Sequence, residues 1–232
     1  MKITKKIISI VCILILSVCL TSCVKIIEKF IFKKDGSGTY SMSIDMSEVA
    51  DMLKSIGGGA DEEIIKGMDE LEVEFEEKIE RIESISGVSN GRKDFDKEKL
   101  KYTILFDFAD MDALNRGMSE SYRDSTAVGP TKQTVFFTQK GNSFERTDIN
   151  ETINNFKKGL EMEGDEEFDL DMAAIMFGDA AYEQIIEFDT KIKSVSNDEY
   201  ELSEDNKSVS WIYRLFQKED YNKKPRVKIV IR

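Results

Sequence analysis

The chain has 232 residues, with 45 acidic against 33 basic side chains, a formal charge of −12 at neutral pH, and no histidine. So acidic a surface is repelled by nucleic acid and by anionic head groups, which sets nucleic-acid binding aside. Without an imidazole there is no Ser-His-Asp or Cys-His catalysis, and the usual zinc set is missing.

Residues 1–22 have the layout of an export signal. Lys2, Lys5 and Lys6 come first, the apolar run Ile7 to Leu20 follows, and small residues precede a cut. The run is 14 residues long, short of the roughly 20 that span a bilayer. Leu20-Thr21-Ser22-Cys23 resembles the lipobox of bacterial lipoproteins. That resemblance implies cleavage between Ser22 and Cys23, a diacylglyceryl group on the Cys23 thiol, and acylation of the new amine. The rival reading is an uncleaved membrane helix over Ile7 to Val24, which are 18 uncharged residues. Loss of three lysines with the signal takes the formal charge from −12 to −15. The cysteines are Cys12, Cys19 and Cys23, so a mature domain over 23–232 has no free thiol and no disulfide.

From Val24 the pattern is strand-like. Ile26, Phe30 and Phe32 share one parity, and Lys25, Lys29 and Lys33 the other. Asp35-Gly36-Ser37-Gly38 reads as a hairpin turn. The return strand places Tyr40, Met42, Ile44 and Met46 inward, and Ser47 is expected to cap a short helix through Ile56. Gly57-Gly58-Gly59 is a joint. Asp61 to Ser84 carries eleven acids. Ile64, Met68, Leu71, Phe75, Ile79 and Ile82 recur there at three and four, which predicts a long amphipathic helix.

A second hairpin is predicted over Val88 to Phe95 and Leu100 to Phe108, followed by a helix that Asp110 caps. Its return strand matches the first at an offset of 62 residues, Tyr40 with Tyr102 and Asp45 with Asp107. A third copy is read in Gln133–Gln139 and Ser143–Ile149, with Asn150 capping a helix that carries Ile153 and Phe156. Ser119–Thr131 and Lys157–Glu167 read as loops, and Leu170–Phe177 as a short apolar helix. Ile186, Phe188 and Ile192 form one inward face; Val209, Trp211, Tyr213 and Leu215 form another. Val227, Ile229 and Ile231 make the last strand. The expectation is an α+β fold: an antiparallel sheet built from repeated hairpin-plus-helix units, with helices on one face. The chain reads as one domain or as two sub-units of about 24–120 and 131–232.

Each candidate for chemistry has a plainer structural use. Asp165, Asp169, Asp171 and Asp179, like Asp110 and Asp112, lack the spacing of a calcium loop. The turn at 35–38 opens a strand, whereas a phosphate cradle opens a helix. Met42, Met46, Met52, Met68, Met172 and Met176 suit core filling, with an adaptable apolar pocket as the other use. No catalytic residue and no metal ligand is assigned, and the covalent lipid on Cys23 stands where a cofactor would.

The lipobox, Lys33-Lys34-Asp35-Gly36-Ser37-Gly38-Thr39 and Ser208-Val209-Ser210-Trp211 together resemble the LppM-type domain of bacterial lipoproteins, and lipoproteins of the Bacteroidetes. In both, a hairpin around an Asp-Gly turn follows the lipid Cys, and a late strand carries an x-V-x-W pattern. The resemblance implies an α+β envelope domain without established catalysis. The chain departs from the LppM type in having no C-terminal apolar span. The expected function is a non-enzymatic binding or structural module, membrane-anchored and periplasm-facing, whose partner is a protein or an apolar ligand. The alternatives are a carrier of an apolar ligand such as lipid between sheet and helices, and a carboxylate-dependent hydrolase.

Overall fold

The computed structural model describes residues 24–55, 62–123, 129–154 and 178–232. The expected signal with Ser22 and Cys23, the joint expected at 57–59, the loop expected over 157–167 and the helix expected at Leu170–Phe177 lie outside the described residues.

Strands β1 (Lys25–Phe32) and β2 (Gly38–Asp45) form the first hairpin, in register from Lys25 opposite Asp45 to Phe32 opposite Gly38. Asp35 builds the turn by accepting from the Ser37 amide and hydroxyl at 3.0 and 2.8 Å. Gly36 takes a φ of +90° there, a region L side chains avoid. Helix α1 (Ser47–Ser55) follows, then the long α2 (Glu62–Glu83). Ser47 is the first helical residue, and its hydroxyl donates to Asp45 at 2.6 Å. The expected serine cap is thereby replaced by an Asp-led turn at the strand end.

The second hairpin is β3 (Val88–Asp96) with β4 (Lys101–Phe108), and α3 (Met111–Ser121) follows. As expected, Asp110 caps α3 by accepting from the Ala113 amide at 2.8 Å. Next come β5 (Phe137–Lys140), β6 (Ser143–Arg146) and a helical turn at 151–154, whose Ile153 amide donates to Asn150 at 3.2 Å. The chain closes with β7 (Ala181–Phe188), β8 (Ile192–Val195), β9 (Glu201–Leu202), β10 (Ser208–Arg214) and β11 (Val227–Ile231). Among the described residues no helix is long and apolar enough to cross a membrane.

The strands make two sheets. One has seven in the order β3-β4-β2-β1-β7-β10-β9, and the other four in the order β5-β6-β11-β8. Most pairs are antiparallel, but β1 and β7 run parallel, Lys25 beside Ala181 through Phe32 beside Phe188. A parallel pair needs a long crossover, and here everything from residue 33 to 180 supplies it. The single antiparallel sheet expected from alternation is therefore two sheets with one parallel junction, since side-chain parity carries no information on strand direction. Ile192 is parted from Phe188 for the same reason. The chain turns at Asp189 and Thr190, and Ile192 enters the smaller sheet. The third hairpin is shorter than expected and belongs to that smaller sheet.

The core lies on one face of the large sheet. Phe30 and Phe32 meet Phe137 of the smaller sheet at ring distances of 4.6 and 5.3 Å, and Phe144 meets Phe188 at 4.9 Å. Toward β4 the cover is helical, with Ile79 and Ile82 of α2 and Leu114 and Met118 of α3 buried in the same cluster. Tilted and edge-to-face rings add about 0.5–1.5 kcal/mol per pair beyond their buried area. Met42 packs on this core, and Met46 on a satellite of Ala50, Leu100, Val49 and Phe95.

Candidate functional site

The inward row of β1 is Ile26, Glu28, Phe30 and Phe32, and all four are buried. Glu28 is the anomaly, a carboxyl with no exposed surface in the middle of an aromatic core. Burying such a group is tolerated only when its oxygens are well served by donors. Tyr40 of β2 donates to Oε1 at 3.0 Å, and Tyr122, just past α3, donates to the same oxygen. Tyr182 of β7 donates to Oε2, joined by the Gln184 amide at 3.2 Å. In all four bonds Glu28 is the acceptor.

The topology explains how these groups meet. Gln184 is the register partner of Glu28 across the parallel junction, and Trp211 of β10 is the partner of Gln184. A row Glu28, Gln184, Trp211 thus crosses three strands on the inner face. Tyr40 and Tyr182 lie two positions along from this row. Tyr122 enters from the helical cover, and its hydroxyl accepts from Thr152 at 2.9 Å. Tyr200 extends the network by donating to Gln184 Oε1 at 2.7 Å, within 2.6 Å of the Pro225 carbonyl.

Burial, and then the negative charge of Glu28, push the phenols of Tyr40, Tyr122 and Tyr182 well above the ordinary tyrosine value. Tyr200 is raised as well, chiefly by burial, with Arg146 opposing. Arg146, on the inner face of β6, is 1% exposed. Its guanidinium lies 5.4 and 5.3 Å from the rings of Phe136 and Phe137, a cation–π sandwich. Nη1 is 3.5 Å from the Phe136 carbonyl, and Nε has no hydrogen-bond partner among the described residues.

Of these residues sequence reading placed only Tyr40 and Trp211 on inward faces, yet a signal exists for three more. Glu28 shares the parity of Ile26, Phe30 and Phe32; Gln184 that of Ile186 and Phe188; Arg146 that of Phe144. A polar residue on the inward parity of an apolar strand is the mark of a buried network. Tyr122 and Thr152 carry no such mark, because only the tertiary fold brings them to Glu28.

The predicted site, Ser22 and Cys23, lies outside the described residues. Val24 beside it is tied to the sheet, its carbonyl accepting from the Ala181 amide at 3.1 Å. Of the acids weighed for calcium, Asp110 is spent on its cap, and Asp112 holds Arg116 at 2.8 Å and Gln133 at 3.1 Å. Among the described residues no cluster of three acids, histidines or cysteines could hold a metal ion.

Two surface clefts accompany the buried cluster. One, of about 290 Å³, lies between Lys33, Thr39, Ser89 and Asp107 at the turn end of the large sheet. The other, of about 520 Å³, lies beside Glu145, Asn197, Asp198, Arg226 and Lys228 on the small sheet. In the first, the hydroxyl of Thr39 and the amide of Asn90 hold Asp107 below the usual carboxylate range against partial burial.

No protein-family model matches the chain. No curated protein matches it either. Among solved structures it is similar to the NMR structure of the folded domain of LppM from Mycobacterium tuberculosis. Identity is 11%, coverage is 91% of this chain and 90% of that one, and the TM-score is 0.37. No residue here takes a role from that likeness.

Proposed function

We propose that the chain is a lipoprotein of the bacterial envelope, held to the membrane through acyl chains on Cys23 after removal of residues 1–22, with a mature domain that binds a partner without catalysing a reaction. The observation that carries the non-enzymatic reading is the saturation of Glu28. Glu28, the carboxylate in the aromatic core among the described residues, faces three phenols and an amide, all donating to it. A glycosidase-type pair needs a second carboxylate and an open cleft around the two. The described clefts are lined largely by charged and polar groups, which suits contact with a polar partner surface better than the sheltering of an apolar tail.

The anchor reading rests on the lipobox and on the position of β1, which starts two residues after Cys23. For a Gram-negative envelope, a periplasm-facing location is supported by the lack of an acidic run in Val24-Lys25-Ile26-Ile27. The two hairpins that precede α1 and α3 are read as two uses of one unit, supported by their matching order of hairpin and helix.

Mass spectrometry of the membrane fraction tests the anchor. The expected N-terminus is Cys23 carrying diacylglyceryl and acyl chains, and Cys23→Ala is expected to leave residues 1–22 attached and the chain unacylated. An unmodified full-length N-terminus in the wild type removes the lipoprotein reading. Crosslinking in intact cells followed by pull-down tests the binding role, with a reproducible protein partner expected. Turnover of a glycan or ester substrate that disappears in Glu28→Gln would overturn it.

A further inference from the structure

The phenols around Glu28 are part of a longer aromatic chain. Trp211 meets Tyr182 edge-on at 6.1 Å, stacks on Tyr200 at 6.2 Å and stands 6.0 Å from Tyr213. Its indole N–H reaches Glu199, an exposed residue, at 3.2 Å, so the chain approaches the surface on that side. Ring separations this short allow electron transfer far faster than diffusional encounter. A phenol gives up an electron easily near neutral pH only if its proton leaves in the same step, because the phenol radical cation is a very strong acid. Tyr182 has that arrangement ready-made: an indole within van der Waals reach on one side, and a buried carboxylate accepting its O–H on the other. Beyond Cys23 the sequence has no thiol that would intercept the vacancy first.

We propose that Trp211, Tyr182 and Glu28 form a one-electron relay that draws oxidising equivalents from the surface and stores them as a phenoxyl radical in the core. A one-electron oxidant of the nitrogen dioxide or carbonate radical class takes an electron from Trp211 and becomes the corresponding anion. Trp211 regains an electron from Tyr182, and in that step the Tyr182 O–H bond breaks and its proton goes to Glu28. The products are the reduced oxidant, a Tyr182 phenoxyl and a neutral Glu28 carboxyl; charge and atoms balance. A one-electron donor such as ascorbate reverses the sequence, returning the electron to Tyr182 and the proton from Glu28. Tyr40 and Tyr122 share Glu28 as acceptor and are the phenols to which the radical can spread.

The test is flash photolysis of the purified chain with its cysteine thiols alkylated, using a ruthenium polypyridyl sensitiser and a sacrificial quencher, read by transient absorption and electron paramagnetic resonance. The wild type is expected to show an indolyl signal that decays into a phenoxyl signal, slower in deuterated water. Trp211→Phe should lower the phenoxyl yield several-fold. Glu28→Gln, which leaves a poor proton acceptor, should slow phenoxyl formation by on the order of a hundredfold, the scale of a positioned general base, so that the indolyl signal persists. Tyr182→Phe keeps the carboxylate and the ring shape, and should change the phenoxyl hyperfine pattern. A phenoxyl signal that lacks a deuterium effect in the wild type, or that Tyr182→Phe leaves unaltered while Tyr221→Phe at the exposed tyrosine abolishes it, overturns the proposal. The deuterium and Tyr182→Phe arms decide the matter even where Glu28→Gln fails to fold.

Discussion

Replacing Glu28 by leucine removes the acceptor of four donors at once, three of them buried and one, Tyr122, partly so: the hydroxyls of Tyr40, Tyr122 and Tyr182, and the Gln184 amide. Each orphaned donor costs about 1–3 kcal/mol. Their sum overstates the loss, because the variant no longer buries a charge, itself a penalty of several kcal/mol. The net expectation is the cost of four orphaned neutral donors less that relief, about 3–5 kcal/mol. Against a total stability of about 5–15 kcal/mol, that leaves the domain weakly folded or unfolded. Converting the three tyrosines to phenylalanine in the same chain should recover more than half, since apolar groups on both sides of a lost bond are nearly neutral. Urea unfolding of the purified chain measures this directly. The single tryptophan, Trp211, is buried among Tyr182, Tyr200 and Tyr213 and reports the transition. A loss below about 1 kcal/mol for Glu28→Leu, or a quadruple variant no more stable than the single, refutes the view that Glu28 organises these donors.

Gly38→Ala puts a methyl carbon 1.9 Å from the Ile31 carbonyl oxygen and 2.7 Å from the Phe108 ring. The expected cost is about 1–3 kcal/mol or more, read in a thermal scan as a fall of about 2–4 °C per kcal/mol at this chain length. Burial raises the Asp45 carboxyl, but hydrogen bonds from Ser47 and the Lys101 ammonium outweigh it and hold it at about 2, against an ordinary 3.8. A depressed carboxyl stabilises the fold above its unfolded value. Asp45→Asn should therefore be less stable than the wild type near neutrality, and the gap should close as pH falls from about 4 toward about 2 in parallel denaturation curves. The phenols of Tyr40, Tyr102, Tyr122, Tyr182 and Tyr200 are all raised from the ordinary value of 10.0. Their stabilisation is full below about 10 and is lost as pH rises further, so ultraviolet titration should show these five ionising only as the fold opens. A smooth non-cooperative titration of all seven tyrosines would contradict their burial.

Local structure was readable wherever one residue type has one physical use. Asp35 and Gly36 announce a turn, Asp110 a cap, and the spacing of Phe75, Ile79 and Ile82 a helix, although Leu71 to Phe75 also alternates like a strand. What was not readable is assembly. The strands matched at an offset of 62 residues prove to be neighbours: β2 and β4 run antiparallel, Tyr40 opposite Phe106 and Ile44 opposite Tyr102. Sequence similarity between two strands gives neither their direction nor their distance apart. Pairing of β1 with β7 joins residues 156 apart in sequence at the level of Glu28 and Gln184, and no local pattern encodes that. The site was half legible. Parity places Glu28, Gln184 and Arg146 indoors, but their convergence depends on the parallel junction and on Tyr122 arriving from a helix end.

The parallel junction also has a mechanical consequence. β1 is an interior strand, paired over eight positions with β2 on one side and over eight with β7 on the other. A pull arriving through the residues before Lys25 acts along the axis of that strand. Resistance then comes from both ladders and the Glu28 cluster together, a shear geometry in which many bonds must fail at once. Peeling a strand from a sheet edge breaks them singly and at far lower force. A chain pulled through β1 therefore resists unfolding from that end.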